Sequence, residues 1–104
     1  MEFRIEHSDS AIIVNMGGRF TYADHDQFRT LLDTIESQVK SACVFDLANL
    51  EFIDSTGMGM LVIANDLART KGFSLRLARA RGTVLRALNI AEFSRIIPLD
   101  GEPR

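Results

Sequence analysis

The chain has 104 residues, of which 46% are hydrophobic and 25% are charged, and its formal net charge is −2. This composition predicts one globular domain and excludes an intrinsically disordered chain. The slightly acidic balance gives no reason to expect nucleic-acid binding, and no stretch approaches the roughly 18 consecutive apolar residues of a membrane span.

The N-terminal part of the chain is predicted to be a β-hairpin. "FRIEH" alternates apolar and polar residues, "AIIVNM" is rich in β-branched residues, and the polar residues 8–10 between them are typical of a turn. The second strand should stop at Gly17 and Gly18. Since the charged, alternating start does not resemble a signal peptide, we expect a cytoplasmic protein.

The hydrophobic period then changes to that of an α-helix. Thr21, followed three residues later by Asp24, resembles a capping box, which predicts the helix start. Apolar residues recur at helical spacing along one face, which should pack on the core: Phe28, Leu31, Leu32, Ile35 and Val39.

A central strand and further strand–helix units follow. "ACVFDLANL" is mostly apolar, which indicates a strand buried on both faces. After it we predict a helix from about Thr56 to Thr70 that stops at Gly72, a strand in "FSLRLA" and a third helix with Val84 and Leu88. The order β-β-α-β-α-β-α predicts a single α/β domain over residues 1–104, in which a mixed sheet (N-terminal hairpin plus crossover strands) packs with three or more helices.

Functional groups are expected directly after the central strand, because loops at the carboxyl ends of such strands tend to carry function. The sequence there is "EFIDSTGMGM", with Asp54, hydroxyls at Ser55 and Thr56, and glycines at Gly57 and Gly59. One interpretation is structural: a hydroxyl caps the next helix by accepting from free backbone N–H groups, and the glycines let the backbone bend. The spacing alone leaves this interpretation open.

The helix after this segment has two distinct faces. The expected core face carries Met60, Leu61, Ala64, Leu67 and Ala68, and the opposite face carries Met58, Val62, Asn65, Asp66 and Arg69, with Gly59 leaving a bare spot. Met58 and Val62 are apolar residues on a face that should be exposed to solvent. An exposed apolar pair beside a hydroxyl favours a surface that docks another protein. The alternative is that a neighbouring helix or loop covers the pair.

The segment does not match catalytic motifs. An extra residue separates Asp54 from Gly57, unlike the Asp-Thr/Ser-Gly of aspartic proteases, and both the phosphate-binding loop and Gly-x-Ser-x-Gly are absent. Ser55 would need a histidine base, and His7 and His25 could approach it only through the fold. We therefore do not expect an enzyme.

Two other candidate groups are expected to be structural or exposed. Cys43 lies in the apolar run of the central strand, where a buried thiol is favoured over a nucleophile or ligand. Asp24 and Asp26 flank His25, but we expect a surface histidine there and no bound metal.

"DLANLEFIDSTGMGML" resembles the signature of the STAS domain, in particular that of small bacterial anti-sigma factor antagonists. That signature runs Asp-Leu-x-x-Val, an aromatic or aliphatic pair, Asp-Ser-Ser/Thr-Gly-Leu-Gly and an apolar helix. The similarity extends over essentially the whole chain, with Gly18 before the first helix and "RGTVLRALNIAEFSRIIPL" as the last helix and tail. Two departures are Met58 in place of the usual leucine, and "GRFT" where many members have Gly-x-Leu/Ile-Asp.

The resemblance implies a partner-switching module without a cofactor. In that family a serine-kinase anti-sigma factor phosphorylates the serine after the aspartate, which here is Ser55 beside Asp54; Thr56 matches a second hydroxyl that is less often the acceptor. The unphosphorylated form binds the anti-sigma factor and frees the sigma factor, and a metal-dependent serine phosphatase resets the switch. We expect the partner to contact the α-helical face that begins at Met58.

The resemblance leaves two other functions open. A STAS partner switch can control a target other than a sigma factor, such as a secretion, biofilm or second-messenger regulator. A stressosome-like scaffold subunit is the other alternative, and it would run as a large assembly in gel filtration.

Overall fold

The computed structural model describes residues 1–100. Its strands are β1 (Glu2–His7), β2 (Ala11–Phe20), β3 (Ala42–Ile53), β4 (Ser74–Ala78) and β5 (Leu99–Asp100), and its α-helices are α1 (His25–Gln38), α2 (Ser55–Lys71) and α3 (Gly82–Ile90). Short 3-10 helices at Tyr22–Asp24 and Phe93–Arg95 precede α1 and follow α3. The predicted order is confirmed, and the two-residue strand β5 completes it.

The strands form one mixed sheet in the order β1-β2-β3-β4-β5. β1 pairs antiparallel with β2, which is the predicted hairpin, and every other neighbouring pair is parallel. The expectation that the second strand stops at Gly17 and Gly18 is wrong, because β2 stays paired with β3 through both glycines to Phe20. A parallel connection needs a crossover, and α1, α2 and α3 supply the three crossovers. No helix within residues 1–100 has the length and apolar character to cross a membrane.

All three helices bury side chains in the same core as the sheet. β2 and β3 contribute residues at alternate positions to it. β3 is buried on both faces from Cys43 to Leu47, as predicted for the central strand. The ring of Phe28 on α1 lies between two other rings, 4.9 Å from Phe20 and 5.8 Å from Phe45. The largest fully buried side chains include Phe20, Phe28, Phe45, Met16, Leu31, Ile35, Leu47 and Leu61.

The start of α1 follows its predicted capping chemistry. Thr21 Oγ1 accepts from the Ala23 N–H at 3.3 Å, and Asp24 Oδ2 accepts from the Thr21 N–H at 2.9 Å. The capping box begins the 3-10 turn that leads into α1 at His25. The predicted apolar stripe is buried through the middle of the helix, whereas Val39 lies just beyond its end in an extended conformation.

β3 extends well past its pairing with β4. The last paired residues are Asp46 and Ala78, and β3 continues to Ile53. Arg79 bonds to the carboxylate of Asp46 at the last paired position (Nε–Oδ2 3.1 Å). Two further side chains after β4 bond to the extension itself: Arg81 Nε to the Ala48 carbonyl at 2.8 Å, and Thr83 Oγ1 to the Glu51 carbonyl at 2.9 Å. They hold in place the half of β3 that leads to Asp54.

Cys43 provides a test of the core. Its side chain is buried among apolar residues, and this burial raises the pKa of the thiol to about 12, because the thiolate would lose its hydration. We expect the native protein to resist a thiol reagent such as DTNB at mildly alkaline pH and to react at once when unfolded in guanidinium. Absorbance of the released thiolate measures both rates, and rapid labelling of the native protein would contradict a buried thiol.

Candidate functional site

β3 passes into α2 through a single residue. β3 ends at Ile53 and α2 begins at Ser55, so Asp54 alone joins them. Ser55 and Thr56 are therefore the first two residues of α2 and do not belong to a loop. At the other end, α2 stops at Gly72 as predicted, because Gly72 adopts the left-handed conformation with φ 83°.

The N-cap of α2 is Asp54. Its Oδ1 accepts from the Gly57 N–H at 2.7 Å, and its Oδ2 accepts from the Tyr22 N–H at 3.3 Å. The interpretation in which a hydroxyl of Ser55 or Thr56 caps the helix is therefore wrong, because both residues lie inside the helix. Both are exposed, and within residues 1–100 neither hydroxyl forms a hydrogen bond. The fold thus uses the carboxylate of the motif and leaves its hydroxyls free.

Gly57 and Gly59 differ in what the fold requires of them. Both lie within α2 and neither has a positive φ, so the interpretation in which they bend the backbone is wrong. A Cβ on Gly57 would lie 2.5 Å from the Phe20 carbonyl oxygen and 2.8 Å from Ile53 Cγ1. A Cβ on Gly59 would meet no atom within 4 Å. Gly57 is needed for the start of α2 to pack against the end of β2, whereas Gly59 is not needed for packing.

The predicted core face of α2 is confirmed. Met60, Leu61, Ala64 and Ala68 are buried, and Leu67 is half-buried at the edge of the core. Sequence periodicity identified this face because the helix is amphipathic.

The opposite face of α2 is less exposed than expected. Met58 and Val62 are half-buried and pack against the edge of the core. The structure therefore favours the alternative in which neighbouring residues partly cover this pair, and not a pair that is fully exposed to solvent. Asn65 is half-buried too, and its Nδ2 donates to the Ile96 carbonyl at 3.4 Å. Asp66 and Arg69 are exposed.

The exposure of two large side chains near the motif was not predicted from the sequence. Ile63 on α2 is 54% exposed, and Tyr22 is 73% exposed. The exposure of Ile63 could have been predicted, since Ile63 lies at helical spacing from Ser55 on the exposed side of α2. No sequence pattern indicated that Tyr22 lies near the motif, because the hydrogen bond from its backbone N–H to Asp54 joins segments that are distant in the chain.

The histidine and its flanking carboxylates do not converge on a ligand. His25 Nδ1 lies 3.5 Å from Asp26 Oδ1, while Asp24 Oδ1 accepts from the Met1 ammonium at 2.8 Å. Burial raises the pKa of Asp24, but the Met1 ammonium and the Thr21 amide outweigh it, so the pKa lies below its ordinary value. In the described part of the chain, no three His, Cys, Asp or Glu side chains cluster as metal ligands.

Comparison with known proteins agrees with this architecture. The family model of the STAS domain matches residues 2–102. The chain belongs to the STAS-domain family. The anti-sigma F factor antagonist of Paenibacillus polymyxa is 26% identical to this STAS domain over 100 residues, which is 95% of this chain and 86% of that protein. The family resemblance seen in the sequence is thereby confirmed.

Solved structures show how widely the fold is used. The Bacillus cell fate determinant SpoIIAA in its phosphorylated form is 16% identical, with a TM-score of 0.71 over 97% of this chain and 92% of that chain. A sulfate transporter family protein from Wolinella succinogenes is 22% identical, with a TM-score of 0.75 over 89% of this chain and 78% of that chain. Since one fold serves both, the function must be argued from the site.

Substitutions at Asp54 and Ser55 test which residue caps α2 in this STAS domain. We expect Asp54→Ala to lower the free energy of unfolding by about 1–2 kcal/mol, and Asp54→Asn to lower it less, because asparagine is also a good N-cap. Ser55→Ala should change it by less than about 0.5 kcal/mol. Urea unfolding followed by circular dichroism measures these values, and an equal loss in Ser55→Ala would show that the serine is a cap.

The two glycines permit a matched comparison of the same substitution in one helix. We expect Gly57→Ala to destabilise the fold by about 1–3 kcal/mol, because the new methyl group overlaps the Phe20 carbonyl. Gly59→Ala should stabilise it by up to about 1 kcal/mol, because alanine is the better helix former and has open space. Chemical unfolding distinguishes the two, and equal effects would contradict the packing described here.

Proposed function

We propose that this protein is a phosphorylation-controlled anti-sigma factor antagonist of a bacterial partner-switching pathway. In its unphosphorylated form it binds a serine-kinase anti-sigma factor and thereby frees the sigma factor, and phosphorylation of Ser55 releases the kinase. The supporting observation is the exposed Ser55 hydroxyl at the start of α2, which the fold does not use. The 26% identity to an anti-sigma F factor antagonist supports the same function.

The position of Ser55 suits a modified residue. It is the first residue of a helix, where the helix dipole favours a negative charge, so the fold should tolerate a phosphate. Thr56 is exposed too and is the second-choice acceptor. Because Asp54 is bonded to Gly57 and Tyr22, it acts in the proposal as a fixed neighbour of the phosphosite and not as a base.

Release follows from local electrostatics. A phosphate adds about −1.5 to −2 charge beside the carboxylate of Asp54. A partner that covers Ser55 would then have to desolvate this charge without a counter-ion, at a cost of several kcal/mol. Since each ~1.4 kcal/mol changes the affinity tenfold, one phosphate would weaken binding by a factor of hundreds. The fold itself does not need to rearrange.

The proposed partner surface is the part of α2 that continues outward from Ser55. Gly59, Asp66 and Arg69 are exposed on it, and Met58, Val62 and Asn65 are half-buried at its edge. In this proposal the kinase contacts that surface, a metal-dependent serine phosphatase acts on phosphorylated Ser55, and the protein itself holds no cofactor and performs no catalysis. It would act in the cytoplasm, where sigma factors meet RNA polymerase.

Affinity capture from native lysate tests the proposal. The baits are the wild type, Ser55→Ala, Ser55→Asp and, as a matched charge control, Thr56→Asp. We expect the wild type and Ser55→Ala to retain a serine-kinase-like protein that Ser55→Asp loses, and Thr56→Asp to lose less of it. Mass spectrometry of the native protein should place phosphate on Ser55.

Other outcomes would select other functions. Equal recovery by all four baits, with no phosphate at Ser55, would overturn the switch. A Ser55-dependent partner that is not an anti-sigma factor would indicate a partner switch acting on a secretion, biofilm or second-messenger regulator. A large assembly in gel filtration would indicate a scaffold subunit.

A further inference from the structure

Ser55, Gly59 and Ile63 form a stripe along α2, with each residue about one helical turn from the last. The Ile63 side chain is 54% exposed, and the space where a side chain of Gly59 would stand is empty. The exposed surface of α2 therefore runs from a free hydroxyl, over bare backbone, to an exposed aliphatic side chain.

Packing within residues 1–100 does not account for a glycine at position 59. Alanine would fit without touching any described atom, and alanine is the better helix former. What glycine adds is a bare stretch of helix that another backbone can approach closely. Close contact with the backbone of another protein would be a physical reason for glycine at position 59.

Ile63 also forms one wall of a groove between α1 and α2. The groove has a volume of about 210 Å³, and its apolar lining is Phe28, Leu32, Met60, Ile63 and Leu67. A cavity of about 150 Å³ accommodates benzene. The groove therefore has room for one large aliphatic or aromatic side chain.

The α1 rim of this groove carries charges that the described chain does not pair. Arg29 and Asp33 lie about one turn apart on α1, and neither forms an ion pair within residues 1–100. Glu36, further along, is paired with Lys71 at 3.1 Å. An occupant with an acidic group opposite Arg29 and a basic group opposite Asp33 would be complementary to this rim.

We propose that the partner recognised at Ser55 docks an amphipathic helix on the groove between α1 and α2. The helix passes over Gly59, places an apolar side chain beside Ile63, and presents an acidic residue to Arg29 and a basic residue to Asp33. This is the helix-in-groove mode of recognition. The inference rests on the proposed function, since it assigns a second part of the same partner interface.

Site-specific photo-cross-linking in cells of the source organism tests this proposal with the full chain. The photoreactive residue p-benzoylphenylalanine replaces Ile63, Met58 or, as a matched control, Ile90, which is 78% exposed on α3 outside the groove. Each variant is made with Ser55 and with Ser55→Asp. We expect a cross-link from position 63, none from position 90, and loss of the cross-link with Ser55→Asp. The cross-linked peptide should have an amphipathic helical pattern with an acidic and a basic residue.

The outcomes separate this inference from the proposed function. Ser55-dependent cross-links from position 58 without any from position 63 would overturn the groove and leave the switch standing. A cross-link from position 63 to such a peptide that persists in Ser55→Asp would support the groove and overturn the switch. Cross-linking to a second copy of this chain, to a peptide without the helical pattern, or from no position would overturn the docking proposal.

Once cross-linking has identified the partner, binding of the purified partner to variants of this chain gives a quantitative check. Ile63→Asp should weaken binding about tenfold or more, as the loss of a central apolar anchor does, while Ile90→Asp should not change it. Gly59→Ala should weaken binding although it does not destabilise the fold. Thermal unfolding of each variant confirms that it is folded, and unchanged binding by Ile63→Asp would overturn the proposal.

Discussion

The carboxylate of Asp54 is the interaction on which the site depends. One oxygen accepts from Gly57 in the first turn of α2, and the other accepts from Tyr22 in the turn between β2 and α1. A single side chain thus fixes the helix start, the strand end and the adjacent turn. Because Asp54 satisfies the helix, Ser55 and Thr56 are not needed as caps and remain exposed.

These contacts are those expected if Ser55 is modified, as the proposed function requires. The acidic group is committed to the backbone, Ser55 forms no hydrogen bond to a histidine within residues 1–100, and the helix dipole tolerates added negative charge. A phosphate placed there would change what can bind to the surface while leaving the fold intact. Under the proposed function, the site acts by permitting or preventing a contact.

The rest of the fold keeps this site in place although β4 does not extend alongside this end of β3. β4 does not pair with the second half of β3; Arg79 bonds to Asp46, where the pairing ends, and Arg81 and Thr83 bond to the carbonyls beyond it. On the other side β2 continues alongside as far as the pairing of Phe20 with Ile53. Gly57 then allows α2 to lie against the Phe20 carbonyl, so the position of Ser55 is set by tight backbone contacts.

The sequence by itself determined the elements and their order, the apolar stripe of α1, the core face of α2, the stop at Gly72 and the family. These features depend on local periodicity, on turn chemistry or on a contiguous motif. The structure also decided that Asp54 and not a hydroxyl caps α2, a local contact that the sequence left open among neighbouring capping residues. Only the tertiary structure decided that Gly57 is required by a carbonyl of β2, that Tyr22 lies beside Asp54, and that Met58 and Val62 are half-covered. The physical reason is that each of these facts depends on how closely segments distant in the chain approach one another, and no local pattern carries that distance.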